Sequence, residues 1–424
     1  MKLNDVKERL NQNGYLDVFK QLYVDEHLIE QQKQRYLDLL QVYEKLFEEE
    51  EVFLFSTPGR TEVSGNHTDH QKGRVLAASV TMDAIAVVSK TEETITVQSD
   101  NYSIDPITIT DLTKKESEEN TSMALIRGVV ARFKELGYQY GGFNAAITSA
   151  VLKGSGISSS AAFEVLIGTI LNHLYNDGRI SSIEIAQIGQ YAENVYFNKP
   201  SGLMDQMACS VGGFVAIDFK DTAHPVVEPI SFNLAENGYK LCLVDTGGNH
   251  ADLSSEYGSM VIEMKEVAHF FKKEVLREVE EQEFYRNLAN LRDVVSDRAI
   301  LRAYHFFHEN KRVVQIKEDL ENNDIAGFKR HIIESGYSSF MYLQNVYSTL
   351  DVYSQGLSVA LALSEDILKE VGAYRVHGGG LAGTIQAFVP NDLVEIYQKT
   401  IEEVFGIGKC HVLAIRPVGS VLIP

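Results

Sequence analysis

The segment Lys153–Ala162 reads KGSGISSSAA and sets two glycines and three serines ahead of an apolar helical stripe, Phe163, Leu166, Ile167, Ile170, Leu171 and Leu174. Gly154 and Gly156, flanking Ser155 and followed by Ile157, allow tight turning and close backbone approach to a ligand. Ser158, Ser159 and Ser160 bring hydroxyls to the start of the helix, where unpaired N–H groups favour an anion. Two readings stand for this loop, a triphosphate cradle or a plain turn with a serine N-cap. It is not a Walker loop, because G-x-x-x-x-G-K-[ST] occurs nowhere in the chain, and it does not fit G-x-G-x-x-G.

A second polar stretch, Pro58–Gly73, reads PGRTEVSGNHTDHQKG between two apolar segments. Asn66, His67 and Asp69 supply donors and acceptors of the kinds that grip a polyhydroxylated ligand. Arg60 supplies a permanent charge suited to a phosphoryl group. His67, Asp69 and His70 are also metal-ligand types, but the H-x-H-x-D-H pattern of binuclear hydrolases fails here because Gly65 stands at its first histidine. A surface loop with some histidines is the plainer alternative.

Further on, Pro200–Gln206 reads PSGLMDQ, with Leu203, Met204 and Met207 around Asp205. An acid in apolar surroundings is either hydrogen-bonded in a turn or held near a partner charge for function. Twelve residues earlier Glu193 lies late in a helix that Ser182 could cap, and by itself it reads as a solvated charge. A third glycine cluster, VHGGGLAGT over Val376–Thr384, is either a tight hairpin or a backbone surface for a ligand.

These residues must be positioned by helices and strands that the pattern outlines. Leu16, Phe19, Leu22 and Tyr23, then Tyr36, Leu39, Leu40, Tyr43 and Leu46, recur at helical spacing and make the first fifty residues helical. Val52–Phe55 reads as a buried strand that Pro58-Gly59 ends, residues 75–99 as several paired strands, Met123–Leu136 as a helix and Ala145–Leu152 as a strand. Strands are expected again at Tyr239–Asp245, Ala373–Val376, Thr384–Val389 and His411–Ile415, around charged helices from 255 to 338. Interleaved strands and helices predict an α/β (α+β) fold in two domains, divided near residue 225.

The chain has 424 residues, with 39 Lys and Arg against 59 Asp and Glu, a net charge of −20. That charge disfavours nucleic acid and anionic membrane surfaces as partners. No apolar run approaches the roughly 18 residues of a membrane span, and the start MKLNDVKERLNQNG lacks the apolar core of a secretion signal. Three scattered cysteines fit neither a disulfide framework nor a clustered metal site. A soluble, cytoplasmic protein is the expectation.

In this order and spacing the segments resemble the sugar and metabolite kinases of the GHMP superfamily, and within it the galactokinases. The three family motifs are matched by Pro58–Gly73, Lys153–Ala162 and His377–Gly383, and PSGLMDQ is similar to the galactokinase G-I-M-D-Q. The likeness spans residues 50 to 390 or so. It implies a GHMP-kinase fold with an N-terminal domain over 1–225, a C-terminal domain over 226–424, and the active site in the cleft between them. It implies transfer of the ATP γ-phosphoryl group to the anomeric hydroxyl of a sugar, with Mg²⁺ as cofactor. Asp205 falls on the catalytic acid-base position and Arg60 on that of the residue steadying it. Gly154 to Ser160 line the triphosphate, and Ser160 with Glu193 hold the metal. Asn66, His67, Asp69, Gly202 and Tyr257 fall on sugar-gripping positions. Phosphoryl transfer asks mainly for positioning and charge neutralisation, which this set supplies.

The chain departs from the family pattern G-R-V-N-L-I-G-E-H-T-D-Y at Thr61, Glu62, Val63 and Ser64, and at Asn66, where galactokinases carry a Glu that binds the sugar near its C6 hydroxyl. An amide carries no charge and would tolerate a C6 carboxylate, so galacturonate joins galactose as a candidate substrate. A non-catalytic sugar and ATP sensor is the rival of another class. The serine triplet, Asp205, Arg60 and Glu193 all stand intact against it.

Overall fold

The computed structural model describes residues 1–48, 51–100, 102–151, 159–199, 201–248, 253–381 and 383–424. Gly154, Ser155, Gly156, Ile157 and Ser158 therefore lie outside the described residues. Three helices come first, α1 (Leu3–Asn11), α2 (Leu16–Tyr23) and α3 (Ile29–Leu46). The strands β1 (Phe53–Ser64), β2 (Arg74–Thr91), β3 (Thr94–Ser99) and β4 (Tyr102–Thr108) follow, then α4 (Ser122–Glu135), β5 (Gly142–Ser149), α5 (Ser159–Tyr175), α6 (Ser182–Tyr191) and α7 (Met204–Val211). After β6 (Phe214–Asp218), β7 (Val226–Ile230) and β8 (Tyr239–Asp245) come α8 (Ser254–Phe270), α9 (Glu281–Arg286), α10 (Leu288–Arg292), α11 (Asp297–Glu321), α12 (Ile325–Ser338) and α13 (Gly356–Leu368). The chain closes with β9 (Ala373–Val376), β10 (Thr384–Pro390), α14 (Val394–Phe405), β11 (Cys410–Leu413) and β12 (Val421–Ile423).

Two sheets organise these elements. The first runs β12-β1-β2-β5-β3-β4, with β6 and β7 continuing from β2, and the second runs β11-β8-β10-β9. Both β7 and the C-terminal β12 thus belong to the first sheet. Along β2 side chains alternate between two cores. Ala84, Ala86 and Val88 pack with α4 and α5 residues such as Ile126, Val165 and Leu166, whereas Ile85 and Val87 pack with Phe19, Tyr36, Leu40 and Tyr43 of the N-terminal helices. A sheet covered on both faces reads as an unbroken apolar run, and residues 75–99, expected to hold several paired strands, contain β2 and β3, each paired with β5. Leu16 and Leu46, expected in the helical stripe, are exposed at the helix ends.

Pro58-Gly59 does not end β1. The strand continues to Ser64 beside β2, with its register shifted between Pro58 and Arg60 and again between Glu62 and Ser64. A bulge accommodates the missing proline N–H and re-aims the residues that follow. The N-terminal helices are tied down by Asp83, fully buried, which accepts from Tyr23 Oη at 2.8 Å, Ser56 Oγ at 2.6 Å and Arg35 Nη1 at 2.8 Å. Among the described residues no helix is long and apolar enough to cross a membrane.

Candidate active site

Beyond its bulge β1 carries Arg60, and the first turn of α7 carries Asp205, 145 residues later in the chain. Arg60 Nε donates to Asp205 Oδ1 at 2.6 Å and Nη2 to Oδ2 at 2.9 Å, a two-pronged pair with planar complementarity. The Arg60 side chain is 8 % exposed and that of Asp205 26 %, so the guanidinium is buried and the carboxylate partly exposed. Gly202 lies just before α7, and a Cβ there would stand 2.5 Å from Asp69 Oδ2. Glycine is what lets this carboxylate and the segment entering α7 share the space. Burial raises the Asp69 carboxyl's pKa above its ordinary value, and the nearby Asp205 adds to that rise.

The third glycine cluster is a hairpin loop between β9 and β10, and its carbonyls hold the polar loop after β1. Asn66 Nδ2 donates to Gly378 O at 2.6 Å, His67 Nε2 lies 3.1 Å from Gly379 O, and Tyr257 Oη on α8 donates to Gly380 O at 2.8 Å. At Gly380, with φ near 75°, any Cβ would collide with the Asn345 carbonyl. These glycines serve close approach of protein to protein. Burial lowers the His67 pKa and pushes the Tyr257 phenol up to about 12.

Asn66 departs from the sugar-gripping part expected of it. It is fully buried, its Nδ2 also donates to Glu62 Oε1 at 2.8 Å, and its Oδ1 accepts from Asn345 Nδ2 at 2.7 Å and Ser339 Oγ at 3.3 Å. Two donor hydrogens and two acceptor positions are all used within the protein. The amide that sequence alone leaves open to a ligand is a structural hub.

Glu193 is no solvated charge either. Ser181, one residue before the expected cap, accepts from Glu184 N and starts α6; Glu193 follows in a π-helical turn, Ala192–Tyr196. Such turns recur at functional sites because they rotate a side chain out of helical register. Glu193 is 2 % exposed, and its Oε1 accepts from Ser160 Oγ at 3.0 Å and Lys199 Nζ at 2.7 Å. Its Oε2 accepts from Ser201 Oγ at 2.5 Å and Gln206 Nε2 at 2.9 Å. Gln206 directly follows Asp205, so one helix start connects both acidic centres. Beside Ser159, Ser160 and Phe163 opens a cavity of about 540 Å³, lined also by Asp100, Tyr102 and Asn120.

The spacing of α11 went unread in sequence. Arg302, His305, Glu309 and Arg312 form one buried polar stripe at intervals of three and four. His305 Nε2 lies 2.9 Å from Asn66 O; Glu309 Oε1 accepts from Ser64 Oγ at 2.7 Å, Gly65 N at 2.9 Å and Ser335 Oγ at 2.6 Å, and Oε2 pairs with Arg312. Burial alone would raise the Glu309 pKa, but Arg312, His305 and Arg375 together hold it far below the usual carboxylate range. Charged residues at core spacing in a long helix were the available signal.

The family models and relatives place this chain among the GHMP kinases. The family model for the GHMP kinases N terminal domain matches residues 124–213, and the galactokinase galactose-binding signature matches residues 41–90. The structure is similar to that of a mevalonate kinase, with a TM-score of 0.59 at 13 % identity, covering 85 % of this chain and 98 % of that one. It is also similar to Lactococcus lactis galactokinase complexed with galactose, with a TM-score of 0.75 at 24 % identity, covering 91 % and 99 %. Galactokinase from Glaesserella parasuis is 31 % identical over 82 % of this chain and 87 % of the relative, and that from Streptomyces coelicolor is 29 % identical over 86 % and 91 %. The chain belongs to the galactokinase family.

Proposed function

We propose that the protein transfers the γ-phosphoryl group of ATP to the anomeric hydroxyl of galactose, giving galactose 1-phosphate and ADP. The observation that carries this reading is the two-pronged Arg60–Asp205 pair, with Asp69 and Gly202 on one side and the Ser160–Glu193 pair linked to it through Gln206 on the other. Galactokinase relatives over most of the chain support it.

In this reading His67, Asp69, Gly202 and Tyr257 bound the sugar, and Ser159, Ser160 and the adjoining cavity receive the nucleotide. Gly154 to Ser158 remain assigned to the triphosphate on the resemblance. Asp205, with both oxygens fixed by Arg60, orients the anomeric hydroxyl and accepts its proton as that oxygen bonds to the γ-phosphorus. The bond from phosphorus to the β–γ bridging oxygen breaks, and ADP leaves with that electron pair. Arg60 offsets the charge gathering on the transferred group.

Mg²⁺ suits the hydroxyl and carboxylate oxygens of Ser160 and Glu193, and Glu193 already draws a cation, the Lys199 ammonium. When bound, the metal would neutralise phosphate charge; Ser160 and Glu193 would hold it, and the half-exposed Lys199 ammonium would give up Glu193 Oε1 to it. The test is ADP release with ATP and Mg²⁺ over galactose, galacturonate, N-acetylgalactosamine, arabinose, fucose and glucose. Galactose is expected to be the best substrate. Silence on every galacto-configured sugar, with sugar still bound, would replace the kinase by a sensor.

A further inference from the structure

Glu193, the carboxylate assigned above to the metal, is held from two consecutive turns of α5. Ser160 Oγ donates directly to its Oε1 at 3.0 Å. Glu164 lies one turn further along the same face of the helix and reaches Glu193 through an amide. Gln206 Nε2 donates to Glu164 Oε2 at 2.9 Å and to Glu193 Oε2 at 2.9 Å. Both hydrogens of that amide nitrogen are thereby used. Glu164 and Gln206 are fully buried, and the reaction described above makes no use of Glu164.

The packing around this pair is close. On α6 a Cβ at Gly189 would stand 3.2 Å from Glu164 Cβ and 3.3 Å from Gln206 Cγ, so glycine there leaves room for both side chains. Among the described residues Glu164 Oε1 and Gln206 Oε1 meet no donor. A proton on Glu164 would supply one, and burial, with the Glu193 carboxylate nearby, raises its pKa in that direction. Four side chains among the described residues donate to the Glu193 carboxylate. Lys199 is half-exposed, Ser160 and Ser201 are partly so, and Gln206 is the one that is fully buried.

We propose that Glu164 is a positioning residue for Glu193: it fixes the Gln206 amide, so that the second amide hydrogen holds Glu193 Oε2 while Oε1 stays beside Ser160. The inference rests on the reading of Ser160 and Glu193 as the metal-holding pair and deepens it. A carboxylate already held by hydrogen-bonded neighbours needs little further ordering when a cation arrives. Loss of such a support costs about 10- to 100-fold in metal affinity.

The experiment measures equilibrium binding of ATP in Mg²⁺ and in EDTA, beside equilibrium binding of galactose. In the wild-type protein Mg²⁺ is expected to tighten ATP binding. Glu164→Leu removes the acceptor for Gln206 and should raise the Kd for ATP in Mg²⁺ about 10-fold, while the Kd values for ATP in EDTA and for galactose change by less than about threefold. Glu164→Gln keeps an accepting oxygen with a donor beside it and should return most of that loss, a rescue that filled space alone does not give. Where Glu164→Leu fails to fold, Gln206→Met carries the same comparison. Where both fold, the double variant should lose no more than the larger single loss, because both break one chain of contacts. An equal rise in the Kd for galactose or for ATP in EDTA, no rise in Mg²⁺, or additive losses overturn the assignment. Wild-type ATP binding that Mg²⁺ leaves unchanged would instead overturn the metal reading of Ser160 and Glu193, and this inference with it.

Discussion

Replacing Asp205 by Asn separates the chemical part played by this carboxylate from its structural one. Asn keeps the size and one accepting oxygen, so Arg60 Nε at 2.6 Å can still be met, but the charge and the proton acceptor are gone. Removing one partner of a buried ion pair costs about 3–5 kcal/mol. Here the Asp205 side chain is 26 % exposed, so solvent screening reduces the loss to about 2–3 kcal/mol. The lost proton acceptor removes about 100- to 10,000-fold in turnover, or about 3–5 kcal/mol of barrier. The assay is ADP release with galactose, run beside urea unfolding and nucleotide binding. The expected result is a folded variant with a lower urea midpoint, retained ATP binding and turnover at or below about 1 % of wild type. Turnover above about a tenth, with the fold intact, would refute Asp205 as the proton acceptor.

Three further outcomes follow from the buried charges. Glu309→Gln leaves Arg312 with only the longer contact to Glu334 Oε2 at 3.8 Å and weakens the hold on Ser64 and Gly65; it should destabilise by about 3 kcal/mol and raise KM for the sugar more than it lowers kcat, which denaturation and initial rates will show. Burial pushes the Glu62 carboxyl up from 4.5 to about 7, despite the lowering pull of Arg375, Arg60 and the Asn66 amide. The folded state then binds more protons than the unfolded chain between those values, so stability falls as pH rises through that window, by about 3 kcal/mol; urea midpoints at pH 4.5 and 7.5 should show a drop that Glu62→Gln removes. Asp83→Ala strands the buried Arg416 beside Arg35 and should lower stability by about 3–5 kcal/mol, read by urea unfolding; an unchanged midpoint would mean the N-terminal helices hold without it.

Spacing and residue type made much of the architecture legible. The stripe from Phe163 to Leu174 became α5, Tyr239–Asp245 became β8 and Ala373–Val376 became β9, because a single face or a short apolar run is a local property. The departures are tertiary. Pro58-Gly59 reads as a break, yet β2 pairs with the strand on both sides of a bulge and carries it through. Glu193 reads as a surface charge, yet a π-helical turn swings it onto Ser160.

The sequence by itself determined the set of chemical groups and their order: an arginine, a polar loop, a serine triplet, an acid after a glycine, and a glycine hairpin. Those are covalent facts, and in that order they carry the resemblance to the GHMP kinases, which is what implies phosphoryl transfer to a sugar. What only the tertiary structure decided is which groups are spent on one another. Asn66 meets Gly378 and Asn345, 312 and 279 residues away in the chain, and a hydrogen bond satisfied there is lost to any ligand. Capacity for hydrogen bonding belongs to the residue, but its availability depends on neighbours that only folding brings within 3 Å or so.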